Sequence, residues 1–259
     1  MEQFCDLHTH SCFSDGTFSP AELIRAAEET GLGAVALCDH NTVAGLTEFL
    51  NAAKGSSVEA VPGIEFSTDY SGKELHILGL FIRPEHYGAV SDLVNEALQQ
   101  KEQSNLDLIW NLNRAGICLD YDRIKTESSG TINRAVIASA IVQSGYCENI
   151  NDVFRDWLAP EKGYFTPPKR PDAYEVIRFV KSIGAVAVLA HPFLNLEEQE
   201  LRTFLSQAEG LDGMEVYYPL FDDDQTKLAE QIAEEYGLIK SGGSDFHGAN
   251  KPDIQLGTG

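Results

Sequence analysis

The sequence predicts an α/β protein built on a parallel sheet, interrupted by a small helical insertion. Three observations predict it. Short apolar runs alternate with stretches of helical period over residues 4–82 and again beyond residue 171. Between Gly116 and Pro171 that alternation gives way to short helical pieces and turn-rich chain. Six of the seven histidines stand at or just past the ends of expected strands, or on a strand close to an acidic residue. Parallel α/β barrels gather their active sites at that end of the strands.

The first strand starts at Phe4 and sets His8 and His10 on one face, because alternate side chains share a side. A short Ser/Gly-containing loop then presents Asp15. Ser19-Pro20-Ala21-Glu22 reads as a capping box with proline at the first helical position. Leu23, Ile24, Ala27 and Leu32 form much of the helix's apolar stripe, and Gly31 stops it. Ala34–Cys38 is a buried parallel strand that delivers Asp39 and His40. A helix over roughly 42–54 leads to a strand at Val58–Val61, after which Pro62-Gly63 is expected to turn the chain and present Glu65. Leu75–Ile82 is a strand with His76 near its start, and Pro84 to about Ala115 is one long helix.

The insertion holds helical pieces near 131–143 and 150–158 and the turn-rich Gly163–Pro171. Alternation then returns: helix 172–183, strand Ala185–Ala190 ending at His191-Pro192, helix 196–209, strand Met214–Tyr217, helix 222–236 and strand Leu238–Lys240. Ser241-Gly-Gly-Ser-Asp245-Phe-His247 follows. The expected organisation is a barrel in two parts, 1–100 and 171–259, around an insertion at 101–170.

The apolar fraction of 43% suits a sizeable core. The five cysteines form no Cys-x-x-Cys pair, and Cys5 and Cys38 lie in apolar runs as small core residues. No disulfide framework, signal peptide or apolar run near the ~20 residues of a bilayer span is visible. A soluble, cytoplasmic protein is expected. The net charge of −21 argues against duplex DNA as a partner. Yet residues 101–182 carry 11 of the 19 Lys and Arg, against 11 acids. These cations either pair within the insertion or serve an anionic substrate.

His8, His10, Asp15, His40, Glu65, His76, His191, Asp245 and His247 share the strand-end position; His86 lies elsewhere. Any single one could be a cap or a satisfied core residue, but nine in one phase point to metal. Nine nitrogen and oxygen donors exceed one ion and suffice for two or three. The mixture favours Mn, Fe or Zn over Mg. Such ions make hydroxide available at neutral pH and clamp phosphoryl oxygens, so metal-assisted phosphoester hydrolysis is the leading reaction class.

His8-Thr-His10, Asp15-Gly16, Cys38-Asp39-His40-Asn-Thr, Gly63-Ile-Glu65, His76, Ala190-His191-Pro192 and Gly243-Ser-Asp245-Phe-His247 together resemble the motifs of the PHP (polymerase and histidinol phosphatase) family over nearly the whole chain. The resemblance implies a distorted seven-stranded (β/α) barrel with a trinuclear metal centre, for which manganese is the expected ion with Fe and Zn as alternatives. It implies that His8, His10, Glu65 and Asp245 hold one metal, Glu65 bridges to His76 and His191 on a second, and Asp15, His40 and His247 hold the third. A hydroxide bridging two metals would be the nucleophile.

The insertion and the ending Gly248-Ala-Asn-Lys-Pro-Asp-Ile254 resemble stand-alone phosphoesterases that act on nucleotides. This implies removal of the 3′-phosphate from nucleoside 3′,5′-bisphosphates, or trimming of short oligoribonucleotides from the 5′ end. The insertion would present cations to the second phosphate, with Arg134, Lys162 and Arg170 as candidates. The family's Arg-Pro-His is Arg134-Ala135-Val136 here. The rivals are a histidinol-phosphate or other small phosphomonoester phosphatase, an amide hydrolase with a bridging lysine such as Lys240, and a non-catalytic metal-binding PHP module.

Overall fold

The computed structural model describes residues 4–128 and 132–259. Among the described residues seven strands form one sheet in sequence order: β1 (Cys5–Thr9), β2 (Ala34–Leu37), β3 (Glu59–Tyr70), β4 (Lys73–Leu80), β5 (Val186–Leu189), β6 (Gly213–Tyr217) and β7 (Ile239–Gly242). Past β7 the chain returns to β1. Asp245 N–H donates to His8 O at 2.8 Å and His10 N–H to Phe246 O at 2.9 Å, so the sheet nearly closes into a barrel. Gly243 permits that closure, since a Cβ there would lie 2.3 Å from the Cβ of His8. Ala36, Cys38, Val61, Leu78, Leu80, Val188 and Ala190, on these strands or one residue past their ends, form one buried cluster. Cys5, expected in the core, is instead exposed, because it opens β1 where the strand meets solvent.

The expected parallel sheet is mixed in one place. β4 runs antiparallel to both β3 and β5, while the other pairings are parallel. Pro62-Gly63 does not turn the chain either. β3 runs straight through it, pairing with β2 up to Pro62 and with β4 from Gly63 onward. Proline is tolerated at this handover between partners. Gly63 is needed for close approach: an added Cβ would sit 2.8 Å from Cys38 Sγ. The turn lies at Ser71-Gly72, where φ is 53° and 82°. Positive φ at both central residues is what a two-residue hairpin turn of type I′ requires.

The helices are α1 (Pro20–Thr30), α2 (Leu46–Ala52), α3 (Tyr87–Arg114), α4 (Tyr121–Glu127), α5 (Arg134–Gln143), α6 (Ile150–Val153), α7 (Ala173–Ser182), α8 (Glu198–Leu205) and α9 (Asp223–Tyr236). At the start of α1, Glu22 N–H donates to Ser19 Oγ (3.3 Å) and Ser19 N–H to Glu22 Oε2 (2.7 Å), which satisfies two otherwise orphaned donors. Gly31 at φ 80° ends it, and Leu23, Ile24 and Ala27 are buried. None of the helices among the described residues is long and apolar enough to cross a membrane.

The chain divides into two compact units, Met1–Val94 with Arg170–Gly259, and Asn95–Lys169. The second has its own core of Leu108, Leu112, Ile137, Ile141, Val153 and Leu158. Its α4, capped by Asp120, is a helix the sequence pattern did not reveal: seven residues are too few to show a clear period.

Candidate metal centre

The barrel end that receives the chain from β1, β2, β5 and β7 collects the site. His8 projects from β1 and is fully buried, and His10 follows just after. Asp39, beyond β2, accepts from Ser11 N–H (2.7 Å), Ser11 Oγ (2.6 Å) and Ser14 Oγ (2.6 Å), which fixes the loop that carries Asp15. His40 meets Glu65 across an isolated parallel bridge. His76 is near the start of β4. Because β4 runs antiparallel to β3 and β5, its start lies at the same end of the sheet as the finishes of the other strands, which brings His76 to Glu65. His191, Asp245 and Asn41 have positive φ (29°, 56° and 51°), a strain that clusters at functional sites.

All nine expected donors therefore come to one place, around Glu65. His8 Nε2 and His10 Nε2 lie 3.1 Å apart, and each lies 3.2 Å from Glu65 Oε2. Asp245 Oδ1 lies 3.2 Å from His10 Nε2 and 3.8 Å from His8 Nε2. Glu65 Oε1 faces His76 Nδ1 at 2.7 Å and His191 Nε2 at 3.1 Å, while Oε2 faces His40 Nδ1 at 3.1 Å. Asp15 lies 3.1 Å from His247 Nε2 and 3.9 Å from both His40 Nε2 and His10 Nδ1. By donor spacing, with every donor atom of a set within 4.8 Å of the others, the sets are His8–His10–Glu65–Asp245, His10–Asp15–His40–His247 and His40–Glu65–His76. His40 and His10 thus each face two sets, and His191 stands beside Glu65 outside these groupings.

These residues fit divalent ions. Donors about 2.1 Å from a shared ion are held about 3.0–3.4 Å apart in tetrahedral or octahedral geometry, the range of most close pairs here, while His76 Nδ1 and Glu65 Oε1 stand at hydrogen-bond distance. The buried atoms His10 Nδ1, Asp15 Oδ1, His40 Nδ1, Glu65 Oε2 and His191 Nδ1 make no hydrogen bond, although buried polar atoms ordinarily do. Two rings have their tautomers set. His8 Nδ1–H donates to Glu215 Oε1 (2.8 Å) and His247 Nδ1–H to the Asp245 carbonyl (2.8 Å), leaving each Nε2 lone pair inward.

The charges are those of a site that wants cations. Burial opposes the charge on His10, but Asp245 and Glu65 outweigh it and push its pKa up to about 9. Burial likewise opposes His76, which Glu65 and Glu74 raise to about 10. His40 is lowered to about 3, chiefly by burial. Burial would raise Glu65, yet His40, His76 and His8 hold it well below the usual carboxylate range. Asp245 is held down, against burial, by His10 and His8. Protons occupy places that metal ions displace.

The supporting residues escaped sequence reasoning. Glu215 is wholly buried in β6, and its signal was a lone acid between Met214 and Val216. Tyr218 Oη donates to Asp245 Oδ2 at 2.9 Å, and Lys251 Nζ donates to the same oxygen at 2.6 Å, which leaves Asp245 Oδ1 facing the imidazoles. Buried Asp6 accepts from Ser244 N–H (2.9 Å), Ser244 Oγ (2.5 Å) and Gly257 N–H (2.8 Å), tying the chain's end to β1. Of the expected substrate-binding cations, Arg170 is paired with Glu74 (2.6 Å), whose other oxygen lies 3.4 Å from His76 Nε2. Arg134 stacks over Phe165 at 4.6 Å within the second unit, where Lys162 is exposed in a short helical turn.

The PHP domain model matches residues 6–164. A 5′-3′ exoribonuclease of Haemophilus influenzae is 34% identical over 95% of this chain and 91% of its own. A 3′,5′-nucleoside bisphosphate phosphatase of Chromobacterium violaceum is 30% identical over 97% and 90%. A phosphoribosyl 1,2-cyclic phosphate 1,2-diphosphodiesterase of Eggerthella lenta is 31% identical over 94% of each. A solved structure from Bifidobacterium adolescentis, assigned as a metal-dependent phosphoesterase, superposes with a TM-score of 0.84, is 29% identical and covers 99% of this chain and 92% of its own. Sequence, barrel and converging donors agree, and the chain belongs to the PHP domain family, whose metal-dependent phosphoesterases it joins as a hydrolase of ester bonds.

Proposed function

We propose that this enzyme removes the 3′-phosphate from nucleoside 3′,5′-bisphosphates, with short oligoribonucleotides as related substrates, using two or three divalent ions of which manganese is the first choice. The single observation that carries the reading is the meeting of the donor sets on Glu65, which presents its two oxygens to five imidazoles, those of His8, His10, His40, His76 and His191. The nucleotide assignment is supported by relatives from Haemophilus and Chromobacterium that align over nearly the whole chain. When bound, clustered divalent ions supply hydroxide at neutral pH and offset negative charge on phosphoryl oxygens.

The chain's own residues do the rest. The nine donors His8, His10, Asp15, His40, Glu65, His76, His191, Asp245 and His247 are the proposed ligands. Tyr218 and Lys251 hold Asp245 so that one carboxylate oxygen stays inward. Burial, Asp245 and Glu215 all raise the pKa of Tyr218, so its phenol keeps its proton and donates throughout the physiological range. Arg134, Lys162 and Arg170 are proposed for the second phosphate; Arg offers a bidentate fork and Lys a point charge. The compartment proposed is the cytoplasm.

A second reading, hydrolysis of a cyclic phosphodiester, is favoured by the Eggerthella relative. The test is a substrate panel with protein stripped of metal and reloaded with manganese. It compares a nucleoside 3′,5′-bisphosphate, histidinol phosphate, a dinucleotide and a 1,2-cyclic ribose phosphate. Preferred turnover of the bisphosphate, releasing the 3′-phosphate, is expected. Preference for any other member overturns the substrate assignment, and no turnover of any member favours a non-catalytic module.

A further inference from the structure

We infer that Glu215 is a positioning residue that sets two of the proposed ligands at once, His8 through its tautomer and His191 through its main chain. The inference rests on the reading of His8 and His191 as metal ligands. Glu215 is wholly buried in β6 between Met214 and Val216. A carboxylate does not persist in such surroundings unless its oxygens find donors. Both do. Oε1 accepts His8 Nδ1–H at 2.8 Å and Oε2 accepts the His191 backbone N–H at 2.6 Å.

The first bond decides what His8 can do. An ionised carboxylate only accepts, so the proton of neutral His8 must sit on Nδ1. The Nε2 lone pair is thereby aimed at the space shared with His10 Nε2, Glu65 Oε2 and Asp245 Oδ1. The second bond holds the His191 backbone at φ 29°, a conformation L residues rarely adopt. From there the His191 ring stacks on that of His8, with centroids 5.6 Å apart, and its Nε2 reaches Glu65 Oε1 at 3.1 Å. One side chain thus links a donor on β1 to a donor after β5, and both face Glu65.

Glu215→Gln tests this with almost no change of volume. An amide has one accepting oxygen and one donating NH2, so it cannot accept from both His8 and His191. With its oxygen on the His191 N–H, its NH2 meets His8 Nδ1 and drives the ring proton to Nε2, where it blocks the ligand lone pair. Manganese titration of metal-stripped protein is expected to show affinity reduced about 10–100-fold, with an unchanged circular dichroism spectrum. In zinc-loaded, diamagnetic protein, 15N spectra should show His8 protonated at Nδ1 in the parent and not in the variant. His8→Ala is the control. If it weakens manganese binding and Glu215→Gln does not, the role of Glu215 is overturned while the ligand reading stands. If neither weakens it, His8 is not a ligand. Should the Gln variant fail to fold, the parent spectrum decides, and a proton on Nε2 of His8 overturns the proposal.

Discussion

Glu65 is the residue on which the centre turns, since each of its oxygens faces imidazoles from separate elements. Replacing a donor in the set it shares with His10 and Asp245 should remove more than one contact. His10→Ala and Asp245→Ala are expected to abolish phosphatase activity, a loss of at least about 10³-fold, while the fold is kept. Turnover near the parent level in either variant would contradict the assignment. A pH dependence follows from the same charges. Without metal, His10 and His76 keep their protons up to about pH 9 and about pH 10. Metal must displace those protons, so affinity should rise with pH from neutrality toward 10 and level off above it. Calorimetry in buffers of differing ionisation enthalpy should show proton release on manganese binding at pH 7. Heats independent of buffer would contradict those raised values.

At the scale of elements, the antiparallel β4 is the departure that matters most. It lets a residue near a strand's beginning stand with residues at other strands' ends, so His76 reaches Glu65. Its partner β3 depends on the glycine at its crossing point. Gly63→Ala would push a methyl to 2.8 Å from Cys38 Sγ and should cost about 1–3 kcal/mol in urea unfolding. The double variant with Cys38→Ala should recover part of that loss, and strict additivity would show that the two sites do not press on each other. The capping box of α1 is simpler, and Ser19→Ala should cost about 1 kcal/mol.

Across the whole molecule, the proposed ligands come from sequence positions 8 to 247, so no unfolded chain presents them together. Manganese should therefore stabilise the folded state, by about 2.7 kcal/mol at a free concentration 100 times its Kd. An unchanged melting temperature on adding manganese to stripped protein would argue against a bound cluster. The basic middle of the chain is tested through substrate. Arg134→Ala should raise KM several-fold more for a bisphosphate than for a monophosphate, and equal effects would remove the second-phosphate role.

By itself the sequence determined the apolar alternation, the caps and the phase of the donors, because these are local patterns with a fixed period. It marked Asp15, Glu65, Asp245 and six of the seven histidines as one class of position. It misplaced the turn, since Pro62-Gly63 has turn chemistry yet serves a strand that changes partner, while the true turn at Ser71-Gly72 carried a weaker signal. Only the tertiary structure decided that β4 is reversed, that Glu215 reaches His8 and His191, and that Lys251 and Tyr218 share one oxygen of Asp245. Those are contacts between stretches far apart in the chain, and no local pattern records which buried acid will find which donor until the barrel closes.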